Sequence, residues 1–474
     1  MTKEKLAEKI NSVDEKALGK LLVRAGEIRD KGLDDEDIIL QLVADEYSNN
    51  YKVPAILGAG MYDKMNHMCR CYMDRTVRFS LYYDSVPDAD ILRKVIICMF
   101  EKAPIFHSKF WDNHIIPCWI VSDYHIDDVF QVVETDDIDK SVYDFSVQSV
   151  DVKCNVQMKI RLFVKDGKCA LAFRWNHMVL DGGGFKQMMK DITDNYHRFR
   201  KGETDKLTFR TGTRRYDRVY DDMPHGKQAK LKFKKTFAKD KHKLPYTKKN
   251  KEDKIFINKR TLPTEVLTAM LKAGKESGGT LNDVFVSAYM RAVYRLLQCD
   301  KNENLTISCA MDLRRYIKDI DSIGYTNHTN FMPCQVSKMG DSIYDTITEL
   351  AKNTKEIKAD EFNGLHGLPL LNIGYSTMIY LQAELVVRAC YYNADLQVSN
   401  LGAIGGATFS FDGHDVKDAF MVGSAKWKPT TAVSLYTVDG KLVYIQPLKG
   451  NDKDKEVSGK LFDLIEEELR SLQS

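Results

Sequence analysis

The stretch AFRWNHMVLDGGGF, residues 172–185, decides how the chain is read. It closes the longer run NVQMKIRLFVKDGKCALAFRWNH, which predicts two strands joined at Asp166-Gly167. That pair tolerates the positive φ that a tight hairpin turn demands. On the second strand Leu171, Phe173 and Trp175 share one face by alternation, and His177 ends that face. Past the glycines, Phe185, Met188, Met189, Ile192, Tyr196 and Phe199 recur at helical spacing. The reading is a strand, a tight turn and a buried helix, with a histidine at the strand end.

An imidazole of ordinary pKa, about 6.5, is mostly neutral near pH 7 and can accept a proton. A histidine in this position can also be a packed group bonded to backbone. Asp181, four residues on, and the three glycines behind it shift the balance toward chemistry. Glycines let a ligand or a second backbone approach closely. Asp181 can hold the imidazole, or it can pin the loop through an arginine elsewhere. No GK[ST] follows, which argues against a nucleotide phosphate loop.

Working outward, TVRFSLYYD predicts a strand and DADILRKVIICMFEKAP a helix with an acidic start and a proline stop. Residues 227–254 hold twelve lysines and are too polar for a core. They read as a boundary between lobes, or as an electrostatic landing site for a phosphorylated cofactor. Beyond it come the strand KIFINKRTL, the helix PTEVLTAMLKAGKESGG and the helix TLNDVFVSAYMRAVYRLL, capped by Thr280 or Asn282. NLTISCAMDLRR predicts a strand, DSIYDTITELAKNTKEI a helix, SLYTVDGKLVYIQPL a second hairpin turning at Asp439-Gly440, and VSGKLFDLIEEELRSL a closing helix. The expected organisation is a helical extension over 1–50, an N-terminal α/β lobe over 51–225, a lysine-rich linker over 226–254 and a C-terminal α/β lobe over 255–474.

The bulk numbers fit a two-lobed globular protein. The 474 residues exceed one ordinary core, 43% are hydrophobic and 29% charged. A formal charge of +3 gives no global field for nucleic acid. No apolar run approaches the roughly 20 residues that span a bilayer. The N-terminus lacks a signal-peptide core. Ten scattered cysteines suit reduced thiols in the cytoplasm. The Cys69-x-Cys71 pair with His67 could bind metal, but buried free thiols are the simpler reading, and no metal is expected. Cys169 as a nucleophile is disfavoured, since it lies about 26 Å from His177 along an extended strand.

The H-x-x-x-D-G spacing of His177, Asp181 and Gly182 resembles the chloramphenicol acetyltransferase-like superfamily, which includes condensation domains, plant BAHD acyltransferases, wax ester synthases and alcohol O-acetyltransferases. GTLNDVFVSAYMRAV, AMDLRRYI followed by GYTNHTNFMP, and VSNLGAI resemble further family segments and occur in the same order. The likeness covers about residues 55–474. It implies two mixed α/β lobes with a cleft or tunnel between them. It also implies an acyltransferase moving an acyl group from a thioester, acyl-CoA as co-substrate or an acyl carrier protein, to a small hydroxyl or amine acceptor.

The resemblance further implies site roles. His177 would be the general base, and Asp181 would pair with an arginine on the D-x-R strand, Arg314 first and Arg315 as fallback. Ser399 or Asn400 would lie near the oxyanion, and Gly182 would support the site. Asn176, Gly183, Tyr325 and Asn330 would line the substrate side. Asn176 stands where many relatives carry a first histidine, and the plant D-F-G-W-G motif is absent. The readings from other classes are a catalytically silent scaffold and a carrier-dependent condensation enzyme.

Overall fold

The computed structural model describes residues 55–228, 231, 242–390 and 394–473. The extension over 1–50 and lysine-run residues 229–230 and 232–241 lie outside the described residues.

The N-terminal half runs β1 (Ile56–Gly58), α1 (Met61–Met68), β2 (Thr76–Tyr83), α2 (Ala89–Lys102), β3 (Ser108–Trp111), β4 (Cys118–Val121), β5 (Phe130–Glu134), α3 (Ile138–Ser146), β6 (Met158–Lys165), β7 (Lys168–Asn176) and α4 (Gly182–Arg200). The C-terminal half runs β8 (Lys254–Leu262), α5 (Thr264–Glu276), α6 (Leu281–Leu297), β9 (Leu305–Asp312), β10 (Thr329–Val336), α7 (Ile343–Ala359), α8 (Leu368–Thr377), α9 (Tyr380–Cys390), β11 (Leu396–Ile404), β12 (Asp418–Val422), β13 (Lys426–Trp427), β14 (Thr431–Val438), β15 (Lys441–Gly450) and α10 (Asp452–Arg470).

Local chemistry explains many of the boundaries. Asp166 and Gly167 take φ 47° and 75°, and Asp439 and Gly440 take 46° and 71°, so both D-G pairs make the left-handed turns of two-residue hairpins. Asp88 caps α2 by accepting from the backbone of Asp90 and Ile91. Thr280, rather than Asn282, caps α6, with Asp283 reaching back to complete a capping box.

The N-terminal sheet has the order β12-β2-β7-β6-β5. Its edge strand β12 comes from the C-terminal half, so the chain crosses back and laces the halves together. The other large sheet runs β10-β9-β11-β14-β15, with β8 and β13 both paired to β15. β7 is central and buried on both faces. Trp175 and Phe185 stack with centroids 5.1 Å apart on one face, while Arg174 lies over the Phe145 ring at 4.5 Å on the other. Full burial of each such apolar side chain is worth roughly 1.5–3 kcal/mol, and this fixes the strand that carries His177.

β9 pairs with β11 only through Gln397 and Val398. Past that point β9 continues beside β10 and β11 beside β14, so the two strands part. The N-terminus of α4 sits across this opening. A Cβ on Gly182 would lie 2.9 Å from Leu401 Cδ2, and one on Gly183 would lie 2.7 Å from Arg314 Nη1 and from Asp312 Oδ2.

Candidate functional site

His177 follows the last residue of β7 and is half-buried. The turn from 177 to 180 is held through its carbonyls. Asn327 Nδ2 donates to the carbonyls of His177 (2.7 Å) and Met178 (3.0 Å). Arg214 donates to those of Val179 (2.9 Å) and Met178 (3.3 Å). The Trp175 indole donates to that of Leu180 at 2.8 Å. Arg214 is itself fixed by the buried Asp63 carboxylate at 2.9 Å, which also accepts from the Trp119 indole at 2.9 Å.

These bonds settle the tautomer of His177. Its Nδ1 lies 3.1 Å from Asn327 Oδ1. The two carbonyls claimed by Nδ2 fix which end of the amide is oxygen. Oδ1 can only accept, so Nδ1 carries the proton and Nε2 keeps a lone pair. No hydrogen bond to a described residue engages Nε2. Burial pushes the ring's pKa below its ordinary value. Its own carbonyl, the Asp181 charge and Asn327 pull the other way, and Lys426 adds to the lowering. The balance favours a neutral ring with a lone pair on Nε2.

Asp181 does not touch that ring. It is the N-cap of α4, accepting from Gly184 N at 2.7 Å. Arg314 forks onto it, with Nη2 2.9 Å from Oδ1 and Nη1 3.1 Å from Oδ2. His328 N (2.7 Å) and the Thr329 hydroxyl (2.8 Å) donate to Oδ2. Burial alone would raise this carboxyl's pKa, but the Arg314 charge and the converging donors outweigh it and hold the pKa far below the carboxylate range. Arg314 also donates to Asp312 Oδ1 at 3.1 Å and to the Thr326 carbonyl at 2.8 Å. Arg315 lies over the Tyr316 ring at 4.9 Å and plays no part here.

The glycines lie in a helix and not in the expected tight turn. Gly182, Gly183 and Gly184 form the first turn of α4, and none has a positive φ. Their role is close approach: a Cβ on Gly184 would meet Leu180 Cδ1 at 2.5 Å and the Thr326 carbonyl at 3.0 Å. The bend in the chain is made by residues 177–180 instead.

Other expected positions divide. Ser399 is half-buried on β11, one residue beyond its last pairing with β9. Asn400 is exposed, and its amide is engaged by Asn282 Oδ1 (3.3 Å) and Gly402 N (2.8 Å). Neither side chain hydrogen-bonds to His177. Asn176 is corrected from a lining residue to a pin. It is fully buried, donating to Gln157 Oε1 at 2.9 Å and accepting from Met178 N at 3.1 Å. Tyr325 is likewise core: it is 2% exposed and its hydroxyl donates to Asp191 at 2.5 Å. Gly183 packs on Arg314 and Asp312, and Asn330 ties β10 to the Gly364 carbonyl at 2.5 Å.

Three contributors escaped the sequence reading: Asn327, Arg214 and Lys186. The Lys186 ammonium lies 3.5 Å from the Ala403 carbonyl at the opening between β9 and β11. Asn327 falls inside the GYTNHTNFMP segment, so its neighbourhood was visible although its contact was not. The alternative nucleophile Cys169 is 1% exposed, donates to the Ser85 carbonyl and has its pKa pushed up to about 12 by burial. Cys69 is buried and its pKa is raised to about 11 by desolvation, while His67 pairs with the Tyr380 hydroxyl at 2.7 Å.

No protein-family model matches the chain, and no curated protein matches its sequence. Solved structures match it in shape. Polyketide synthase associated protein 5 from Mycobacterium tuberculosis superposes with a TM-score of 0.63 at 13% identity, over 88% of this chain and 99% of that one. The first condensation domain of the calcium-dependent antibiotic synthetase gives 0.64 at 11%, over 88% and 96%. The epimerization domain from the third module of tyrocidine synthetase B gives 0.59 at 15%, over 89% and 98%. The fold is therefore the two-lobed fold of these condensation and epimerization domains. No helix among the described residues is long and apolar enough to cross a membrane.

Proposed function

We propose that the protein transfers an acyl group from a phosphopantetheinyl thioester, as acyl-CoA, to a hydroxyl or amine acceptor, with His177 as general base. The observation that carries this reading is the ring itself, with Nδ1 bonded to Asn327 and Nε2 unengaged. The acceptor's proton goes to Nε2 as its oxygen or nitrogen bonds to the thioester carbon. The carbonyl π pair moves onto oxygen. Collapse of the tetrahedral species expels the thiolate, which takes the proton back from the imidazolium. The ring ends neutral, and no acyl-enzyme forms.

A positioned base contributes roughly 10²–10⁴-fold, and an oxyanion donor roughly 10²–10³-fold. Ser399 is the side chain we assign to the second task, since it lies half-buried one residue past the last β9–β11 pair while Asn400 is exposed. Asp181 and Arg314 hold the site's shape. The free thiols of the described cysteines suit a reducing compartment such as the cytoplasm.

The matching epimerization and condensation domains belong to synthetases, so the same thioester on a carrier protein is the second reading. The test is thiol release from acetyl- to long-chain acyl-CoA and from the same acyl groups on a carrier, followed with a thiol-reactive dye. Turnover on acyl-CoA that His177→Ala removes supports the proposal, and turnover on the carrier form alone moves the donor assignment. Silence on both, across a panel of alcohols and amines, supports a scaffold instead.

A further inference from the structure

We propose that His242, Cys299 and Glu303 form a binding site for a zinc-class divalent ion that clips residue 242, on the returning side of the lysine-rich segment, to the C-terminal half. One donor atom from each residue lies within 4.8 Å of the other two. His242 Nε2 is 3.0 Å from Glu303 Oε2. His242 is buried, Cys299 half-buried and Glu303 exposed, so the cluster opens to solvent on one side. Nitrogen, sulfur and carboxylate oxygen together are the donor set of a borderline-soft ion.

The backbone is shaped around these atoms. α6 ends at Leu297, and Gln298 turns the chain with φ 54°. Cys299 N then donates to the Tyr294 carbonyl at 3.0 Å. The Tyr294 hydroxyl donates to the Glu303 carbonyl. Glu303 Oε1 accepts from Asp300 N at 3.1 Å, which leaves Oε2 facing His242. One carboxylate oxygen is thus held by the loop while the other is presented, the arrangement that orients a metal ligand. Leu244, two residues past His242, is 3% exposed and anchors the segment in the core.

Ligation at about 2.0–2.3 Å requires the donors to close by about an ångström around the ion. Cys299 gives up its thiol proton to solvent, His242 binds as neutral imidazole, and water completes the fourth position. His242 and Glu303 are 61 residues apart in the chain, so the ion would tie together distant segments.

The full chain, stripped with chelator, is titrated with Co²⁺ as the spectroscopic probe and Zn²⁺ as competitor. The proposal expects one equivalent of Co²⁺, a thiolate-to-cobalt charge-transfer band and its removal by Zn²⁺. Cys299→Ser loses the band. His242→Ala and Glu303→Gln each weaken binding at least about tenfold, the scale set by loss of a single supporting partner. Cys71→Ser, at an exposed thiol elsewhere, keeps the band. Absence of a thiolate band in the wild type, its survival in Cys299→Ser or its loss in Cys71→Ser overturns the site. If Cys299→Ser does not fold, the other two variants decide: affinity unchanged in both overturns the site.

Discussion

Arg314 of the C-terminal half forks onto Asp181 of the N-terminal half, with Nη2–Oδ1 at 2.9 Å and Nη1–Oδ2 at 3.1 Å. The carboxylate is also the cap of the helix that crosses the opening between β9 and β11. One ion pair therefore sets the position of a helix start and the docking of two halves.

Asp181→Asn should destabilise the protein by about 3–5 kcal/mol, because it leaves a buried guanidinium short of its counter-charge. Arg314→Lys should not rescue the geometry, since an ammonium cannot fork. Urea unfolding measures both, and an unshifted midpoint in Asp181→Asn would show that the pair is not structural.

His177→Ala should lower turnover by roughly 10²–10⁴-fold while leaving thermal unfolding nearly unchanged. A variant that keeps more than about a tenth of the wild-type rate removes His177 from the base role.

The acid limb of kcat/KM should fall below the ordinary histidine value of about 6.5, because burial lowers the pKa of His177. Asn327→Asp puts a carboxylate against Nδ1 and should move that limb to higher pH. A limb that stays in place would mean that the ring sensed by the kinetics is another one.

Stability should fall as the solution is acidified. Burial lowers the pKa of His328 to about 4, so the folded state holds it neutral. A depressed histidine contributes stability that is full above about pH 6.5 and is lost as the pH falls toward 4, up to roughly 3 kcal/mol. Asp181 has the same sign at lower pH, losing its contribution below the normal carboxylate range. His328→Leu should flatten the slope between about pH 6.5 and 4. An identical slope in both proteins would assign the effect elsewhere.

Alanine at the three glycines should rank by what its Cβ meets. Gly183→Ala confronts the ion-paired Arg314 and Asp312 at 2.7 Å, and Gly184→Ala the fully buried Leu180 side chain at 2.5 Å and the Thr326 backbone carbonyl at 3.0 Å, and each should cost about 1–3 kcal/mol. Gly182→Ala meets side chains alone, the partly buried Leu401 at 2.9 Å and Phe79 at 3.8 Å, and should cost less. Chemical denaturation gives the order, and Gly182→Ala as the worst of the three would contradict it.

Much of the fold was legible because its signals are local. The D-G pairs take the left-handed φ that their chemistry predicts, and the Asp88 and Thr280 caps sit where the apolar periodicity begins. The close approach expected at the glycines holds, but the atoms that impose it were not legible, since besides the nearby Leu180 they belong to Leu401, Arg314, Asp312 and Thr326, and the glycines start a helix instead of forming the turn. The fate of Asn176 and Tyr325 was hidden for the same reason, since burial depends on what packs against a residue.

The sequence by itself determined the succession of strands and helices, the hairpin turns, and a histidine at a strand end four residues ahead of an aspartate. Those follow from backbone preferences and periodicities that act over a few residues. Only the tertiary structure decided which nitrogen of His177 carries the proton, that Asn327 and Arg214 hold its turn, and that β12 joins the sheet of the opposite half. The Asn327 contacts join residues 149–150 apart in the chain, and no local rule selects a partner at that range until the packed halves bring the groups within hydrogen-bond distance.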